Sequence, residues 1–323
     1  MMPDIIQAYR NENFEPLKAA IREFGKHRLI GATLKDEKYN LPGITFVSYG
    51  LMQREVDRVD SGYRTSLSVQ SAAVKLIYNF GSEEQKQRLI PRLASGELLG
   101  CFGITEPLTG SDPGSLKSSA VRQGDHFVLN GTKTWISNSP IADVFVVWAK
   151  DEKGDIRGFI LEKGMPGLTA PKIEGKLSLR AAPTGMVVMD NVKVPAINQL
   201  PPEKNKGLKV PFASFNEARY GIAWGSIGAA EFCFHYARQY TLDRKQFGVP
   251  LASFQMIQKK YADMATEISL ALLSCHQVGR LLDKNQAAAE QISIIKRNSV
   301  CEYFLFFHRS KRFLIISEIF GNR

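Results

Sequence analysis

The spacing of apolar residues changes twice along this 323-residue chain, and those two changes constrain the fold more than any single motif. Up to about residue 97 apolar side chains recur at helical intervals. In NFEPLKAAIREFG, Phe14, Leu17, Ile21 and Phe24 share one stripe that Gly25 is expected to end. One helical stretch is expected over Val47 to Phe80. SEEQKQRLIPRLASG opens on a capping box, Ser82 with Gln85 three residues on; Gly96 closes it, and Pro91 is expected to kink it.

From Gly100 to about residue 200 the pattern becomes β-branched and alternating, with turn signals between segments. HFVLNGTKTWIS is expected to be a hairpin turning at Asn130-Gly131, followed by strands in ADVFVVWAK, RGFILEKG and GMVVMDNVKV. A sandwich or small barrel fits. Helical spacing returns after PPEKNKG, with helices expected over Leu208–Leu242 and Ser253–Leu282 and from Ala287. The expectation is an α+β multi-domain protein: an N-terminal helical domain (1–98), a middle β domain (99–202) and a C-terminal helical bundle (203–323). Such bundles normally hold four helices, and only three are seen, so the bundle reads as incomplete.

The gross numbers remove some function classes. No apolar run reaches the length of a membrane span. Cys101, Cys233, Cys275 and Cys301 are scattered without a C-x-x-C pair, which argues for reduced, buried thiols in an intracellular compartment and against disulfides or a zinc site. The net charge of +10 is dispersed, with no run of five basic residues, so solvated helix faces or a polyanionic small molecule explain it better than nucleic acid. The start, MMPDIIQAYRNENFEP, does not read as a signal or transit peptide.

Two stretches carry chemistry. GITEPLTGSDPGS (Gly103 to Ser115) is a loop of small and hydroxylic residues; it can wrap a phosphorylated or planar ligand, although composition alone favours an ordinary connector. TWIS (Thr134 to Ser137) sets a Trp beside a hydroxyl, and a core Trp is the commoner case. Taken together, CFGITEPLTGSD, NGTKTWISNS and RYGIAWGSIGAAEFCFHYARQYTLDRKQFGVPL resemble the acyl-CoA dehydrogenase family, up to about Cys301. Thr109 stands where that family usually has a smaller residue.

The resemblance implies FAD as cofactor, with Ile104 and Thr105 along the pyrimidine side of the flavin and Trp135 and Ser137 flanking the ring. It implies that Ser111 meets the coenzyme A portion of an acyl-CoA substrate and Arg219 its nucleotide end. Arg244 would reach the FAD pyrophosphate of a neighbouring subunit, with Gln246 and Phe247 beside the same cofactor, in a homotetramer. In DSGYRTSLSVQS, Arg64 and Ser68 lie one helical turn apart. Read without the family, Arg64 is a snorkelling Arg with its head in water. The stretch resembles the glutaryl-CoA dehydrogenase branch, as do ARYGIAWG and LEKGMPGLTAPKI, which implies a clamp for a distal carboxylate. The implied reaction is oxidative decarboxylation of glutaryl-CoA to crotonyl-CoA and CO2, in lysine and tryptophan degradation. Electrons would pass to an electron-transfer flavoprotein in the mitochondrial matrix.

The tail, YFLFFHRSKRFLIISEIFGNR, does not follow the family, whose catalytic Glu and Gly-rich loop are expected there. A substitute base is sought at Glu217, since Ala218 occupies the other position that some members use. The alternative is a catalytically inactive truncated isoform or gene-model fragment, with a non-family tail from about residue 303 and no first helix, acting at most as a binding or assembly partner.

Overall fold

The computed structural model describes residues 13–204 and 207–301, so the tail from residue 303 and the segment before residue 13 lie outside the described residues. The chain forms two compact units. One contains the residues through Ile44 together with Thr65–Phe215; the other contains Thr45–Arg64 and the chain from Asn216 on.

In the first unit, α1 (Glu15–Lys26) buries Leu17 and Ile21. Gly25 lies within this helix and does not end it. Its role is close approach, since a Cβ there would lie 2.2 Å from the Ser95 carbonyl oxygen. α4 (Glu83–Ala94) opens on the Ser82/Gln85 capping box, continues through Pro91 into its last turn, and is followed by Gly96 at φ +74°. Gln85 also donates to the carbonyls of Ile197 and Gln199, at 2.7 and 2.8 Å. Gln70, on α3 (Ser61–Phe80), donates to the Leu93 and Leu98 carbonyls and accepts from the Gly100 amide at 2.7 Å. Two buried glutamines thus satisfy the backbone where helices meet strands, as burial requires.

β1 (Lys35–Asp36) and β2 (Leu41–Pro42) form a short antiparallel pair, and seven further described strands form one hydrogen-bonded network: β3 (Gly100–Gly103), β4 (Ser119–Gln123), β5 (His126–Ser137), β6 (Val144–Lys150), β7 (Ile156–Glu162), β8 (Leu168–Thr169) and β9 (Thr184–Pro195). β3 runs parallel to β6, β7 pairs antiparallel with β6, and β4, β5 and β9 form an antiparallel run with β8 on β9. The core gathers Leu129, Val147, Phe159, Leu161, Val187 and Val192.

The expected hairpin at Asn130-Gly131 is not one. β5 continues through it, and the tight turn comes earlier, between Gln123 and His126, with Gly124 at φ +62°. Asn130-Gly131 instead makes an irregularity in the β5–β9 register. Gly131 is at φ +143°, and a Cβ there would lie 2.2 Å from Ser118 Oγ, so the glycine admits a neighbouring chain where a turn was expected.

In the second unit, the stretch expected as one helix breaks at Asp60. α2 (Phe46–Val59) ends there, and α3 restarts at once because the Asp60 carboxylate accepts from the amides of Gly62 (2.6 Å) and Tyr63 (3.2 Å). The helix expected over Leu208–Leu242 likewise divides into α5 (Lys209–Phe212) and α6 (Phe215–Asp243), with the Ser214 hydroxyl donating to the Pro211 carbonyl between them. α7 (Gln255–Asp283) buries Met264, Ile268, Ala271 and Cys275, and a helix over 289–301, α8, buries Ile292 and Ile295. α2 lies close against α6 because α6 presents glycines: a Cβ at Gly228 would fall 2.1 Å from the Arg54 carbonyl, and one at Gly225 2.2 Å from the Asp57 carboxylate. Among the described residues no helix is long and apolar enough to cross a membrane, and no group of His, Cys, Asp and Glu could hold a metal.

Candidate functional site

The loop after β3 and the far end of β5 meet in the first unit. The Thr134 amide donates to the Thr105 carbonyl at 2.9 Å. Between Lys133 and Ile136 the β5–β9 register shifts, and Trp135 takes φ +60°. A bulky residue in that region is strained, and such strain persists only where its surroundings impose it. The result is an alternation with Ile136 in the core and Trp135 and Ser137 on the other side. Trp135 is therefore not the core residue that strand statistics favour; it is 61% exposed. Ile104 is buried, Thr105 is half-buried and Ser111 is exposed. Thr109 is buried, its backbone closing a reciprocal pair with Glu106.

The chain beyond Ser137 is fixed by buried hydrogen bonds. Asn138, at φ +66°, is buried, with its amide on the Pro183 carbonyl and its side chain donating to the Ser66 carbonyl of α3 at 3.1 Å. Lys176 donates to the carbonyls of Leu179 and Ala182 and to the Thr184 hydroxyl. Burial, with the Lys172 charge nearby, pushes its ammonium below the usual lysine range.

Sequence reasoning missed the polar centre beneath this surface. Glu106 Oε1 accepts from Lys133 Nζ (2.8 Å), Ser118 Oγ (2.6 Å) and the Ser118 amide (2.9 Å), and Oε2 accepts from the Lys117 amide at 2.6 Å. Burial alone would raise this carboxyl, but the Lys133 ammonium and the other three donors hold it below its usual range. Lys133 is fully buried. The available signal was a Lys at an inward strand position among apolar neighbours, which requires a buried partner.

In the second unit, Arg64 is not a snorkelling side chain. It is 8% exposed, and its Nε lies 2.7 Å from Asp57 Oδ2, itself buried. The Ser61 hydroxyl donates to the same carboxylate. Arg64 and Ser68 both lie on α3, one turn apart. Asp57 was missed because it precedes the helix break at Asp60, so α-helical spacing does not carry across to it.

The remaining residues from the sequence reading lie along α6 and beyond it. Glu217 is half-buried in the first turn of α6, and Arg219 is exposed with Nη1 on Asn216 at 2.9 Å. Arg244 follows α6, its carbonyl accepting from the Leu251 amide. Strands β10 (Lys245–Gln246) and β11 (Val249–Pro250) form a two-residue hairpin turning at Phe247 (φ +55°) and Gly248 (φ +80°). Positive φ at both turn positions is what a two-residue hairpin prefers. Gln246 is exposed, and Phe247, 93% exposed, touches Phe254 edge-on with ring centroids 6.1 Å apart.

Three comparisons bear on this arrangement. The chain matches the acyl-CoA dehydrogenase N-terminal domain over residues 1–97, the middle domain over 101–192 and the C-terminal domain over 205–302. It is 37% identical over 282 residues to an acyl-CoA dehydrogenase of Bacillus subtilis (86% of this chain, 74% of the relative). It is 36% identical over 284 residues to a glutaryl-CoA dehydrogenase of Desulfococcus multivorans (85% and 72%). Among solved structures, a glutaryl-CoA dehydrogenase of Mycobacterium smegmatis in complex with FADH2 is similar at a TM-score of 0.88 and 40% identity, covering 97% of this chain and 83% of that one.

Proposed function

This chain belongs to the acyl-CoA dehydrogenase family, an oxidoreductase family, and from that premise we propose that it oxidises glutaryl-CoA with FAD, giving crotonyl-CoA and CO2. The observation that carries the substrate choice is Arg64, a buried guanidinium whose charge is balanced by Asp57 and which has Ser68 one turn along the same helix. A monocarboxylic acyl chain gains nothing from such a cation, because its apolar end offers no group for a guanidinium to bind. A second carboxylate gains a charge-assisted hydrogen bond. Relatives named for glutaryl-CoA support the same choice.

The residues of the first unit fit FAD. An exposed indole held in a left-handed backbone, with hydroxyls at Ser137 and Thr105 nearby in the chain pairing, suits one face and one polar edge of an isoalloxazine ring. A relative described in complex with FADH2 supports this. When bound, FAD supplies a two-electron acceptor for the substrate's β-hydride. The chain's own residues do the rest. Trp135 shields the ring from water, and the Ser137 hydroxyl and the backbone around Ile104 and Thr105 orient it. Ser111 and Arg219 take the coenzyme A portion of the substrate. Arg64 and Ser68 hold the distal carboxylate, and so place the carbons to be oxidised. Arg244, with Gln246 and Phe247, serves the cofactor of a neighbouring copy in a homotetramer, and an electron-transfer flavoprotein receives the electrons.

A catalytically inactive form is not favoured by the family matches and the 74% and 72% coverage of relatives. The reading is tested by assaying CO2 release and flavin bleaching with glutaryl-CoA under anaerobic conditions. Bleaching without CO2 release would leave a general acyl-CoA dehydrogenase and remove the decarboxylating step.

A further inference from the structure

The ion pair between Lys133 and Glu106 ties together three pieces of chain that are remote in sequence. Glu106 belongs to the loop after β3, Lys117 and Ser118 lead into β4, and Lys133 sits in β5 two residues before Trp135. Gly103 makes room for the lysine stem, since a Cβ there would lie 3.2 Å from Lys133 Cγ. The next residue on each side is joined as well: the Thr134 amide donates to the Thr105 carbonyl at 2.9 Å. Immediately beyond, β5 loses its register with β9 and Trp135 turns to φ +60°.

A buried ion pair is a poor way to gain stability, because an apolar pair of similar shape commonly does as well or better. What it gives is a fixed geometry: four donors converge on one carboxylate, and the loop cannot slide along β5 without orphaning them. We propose that Glu106 and Lys133 are positioning residues of the cofactor site, locking the 103–109 loop to the bend in β5 so that Thr105 and Trp135 are held in the arrangement that receives the flavin. The cofactor half of this rests on the FAD assignment above; the locking half does not.

The test replaces the pair by an apolar one, Glu106→Leu with Lys133→Met, and also makes Lys133→Arg and Glu106→Gln. Backbone hydrogen exchange is measured on flavin-free protein, and FAD affinity and visible circular dichroism on the loaded protein. In the apolar double variant, exchange over 104–109 and 130–137 rises at least about tenfold while β6 and β7 are unchanged. FAD affinity falls by about tenfold or more, with an altered flavin spectrum. Lys133→Arg, which keeps the charge, stays nearer the parent in both. If the double variant does not fold, Glu106→Gln, which keeps the shape, is judged by the same two readouts. Parent-like exchange and parent-like flavin binding in a folded variant overturn the proposal. A parent chain that holds no FAD overturns the cofactor half, and the exchange result then decides the locking half alone.

Discussion

Arg64 can be buried only because Asp57 meets it, and Asp57 fits against α6 only because residue 225 is glycine. Arg64→Ala therefore removes more than a ligand contact. It leaves a buried carboxylate without its cation, so urea denaturation should show a loss of about 3–5 kcal/mol, while Arg64→Ala combined with Asp57→Asn loses clearly less. Equal losses in the two would mean that the pair is not coupled. Glu106 makes a second prediction, in pH. Its carboxyl is held below the usual range in the fold, so its contribution is present above the unfolded value of about 4.3 and is lost as pH falls through the lower folded value. Urea midpoints measured from pH 6 down to pH 3 should fall less steeply in Glu106→Gln than in the parent. The thiols follow the same logic: burial pushes Cys275 up to about 12 and Cys101 higher still, whereas Cys301 is exposed. Thiol-specific reagents should label Cys301 in the native protein and leave Cys101 and Cys275 untouched until it unfolds.

The elements were legible wherever local chemistry decides them. The Ser82/Gln85 box, the strands at ADVFVVWAK and GMVVMDNVKV, and the long helix through Met264 and Cys275 are all as their periodicity implies. Two of the misreadings share one cause, a deciding contact distant in sequence, whereas the helix breaks at Asp60 and Ser214 are set by local hydrogen bonds. Asn130-Gly131 has the composition of a turn, yet Ser118 approaches there and needs the missing Cβ. Gly25 looks like a stop, yet it makes room for Ser95. The exposure of Trp135 is also set by context, through the bulge in β5. Gly131→Ala should accordingly cost about 1–3 kcal/mol in chemical denaturation through overpacking against Ser118. Gln85→Ala should cost more than Ser82→Ala. The latter loses a cap worth about 1 kcal/mol, whereas the former also orphans the carbonyls of Ile197 and Gln199. The reverse order would show that the cap, and not the hydrogen bonds to Ile197 and Gln199, holds α4.

At the scale of the whole molecule, family membership supplies the reaction class, and the substrate proposed above rests on Arg64 and its neighbours. Motif resemblance pointed to Arg64, Ser68, Trp135 and Ser137, because those residue types sit at recognisable spacings. The buried partners that hold them, Asp57 for Arg64 and Glu106 with Lys133 beneath Trp135, became visible only once the helices and strands were assembled. A cofactor-loaded site of this kind is proposed to prefer a dicarboxylic acyl-CoA through Arg64. The most direct measurement is an anaerobic titration of the FAD-loaded protein with glutaryl-CoA and, separately, butyryl-CoA, following the visible flavin band in the parent and in Arg64→Lys. Arg64→Lys keeps the charge opposite Asp57 and removes the planar fork. Half-saturation by glutaryl-CoA is expected at a concentration at least about tenfold lower than by butyryl-CoA in the parent, with that gap narrowed in the variant. Equal half-saturation by the two in the parent, or a gap that Arg64→Lys leaves intact, would contradict it.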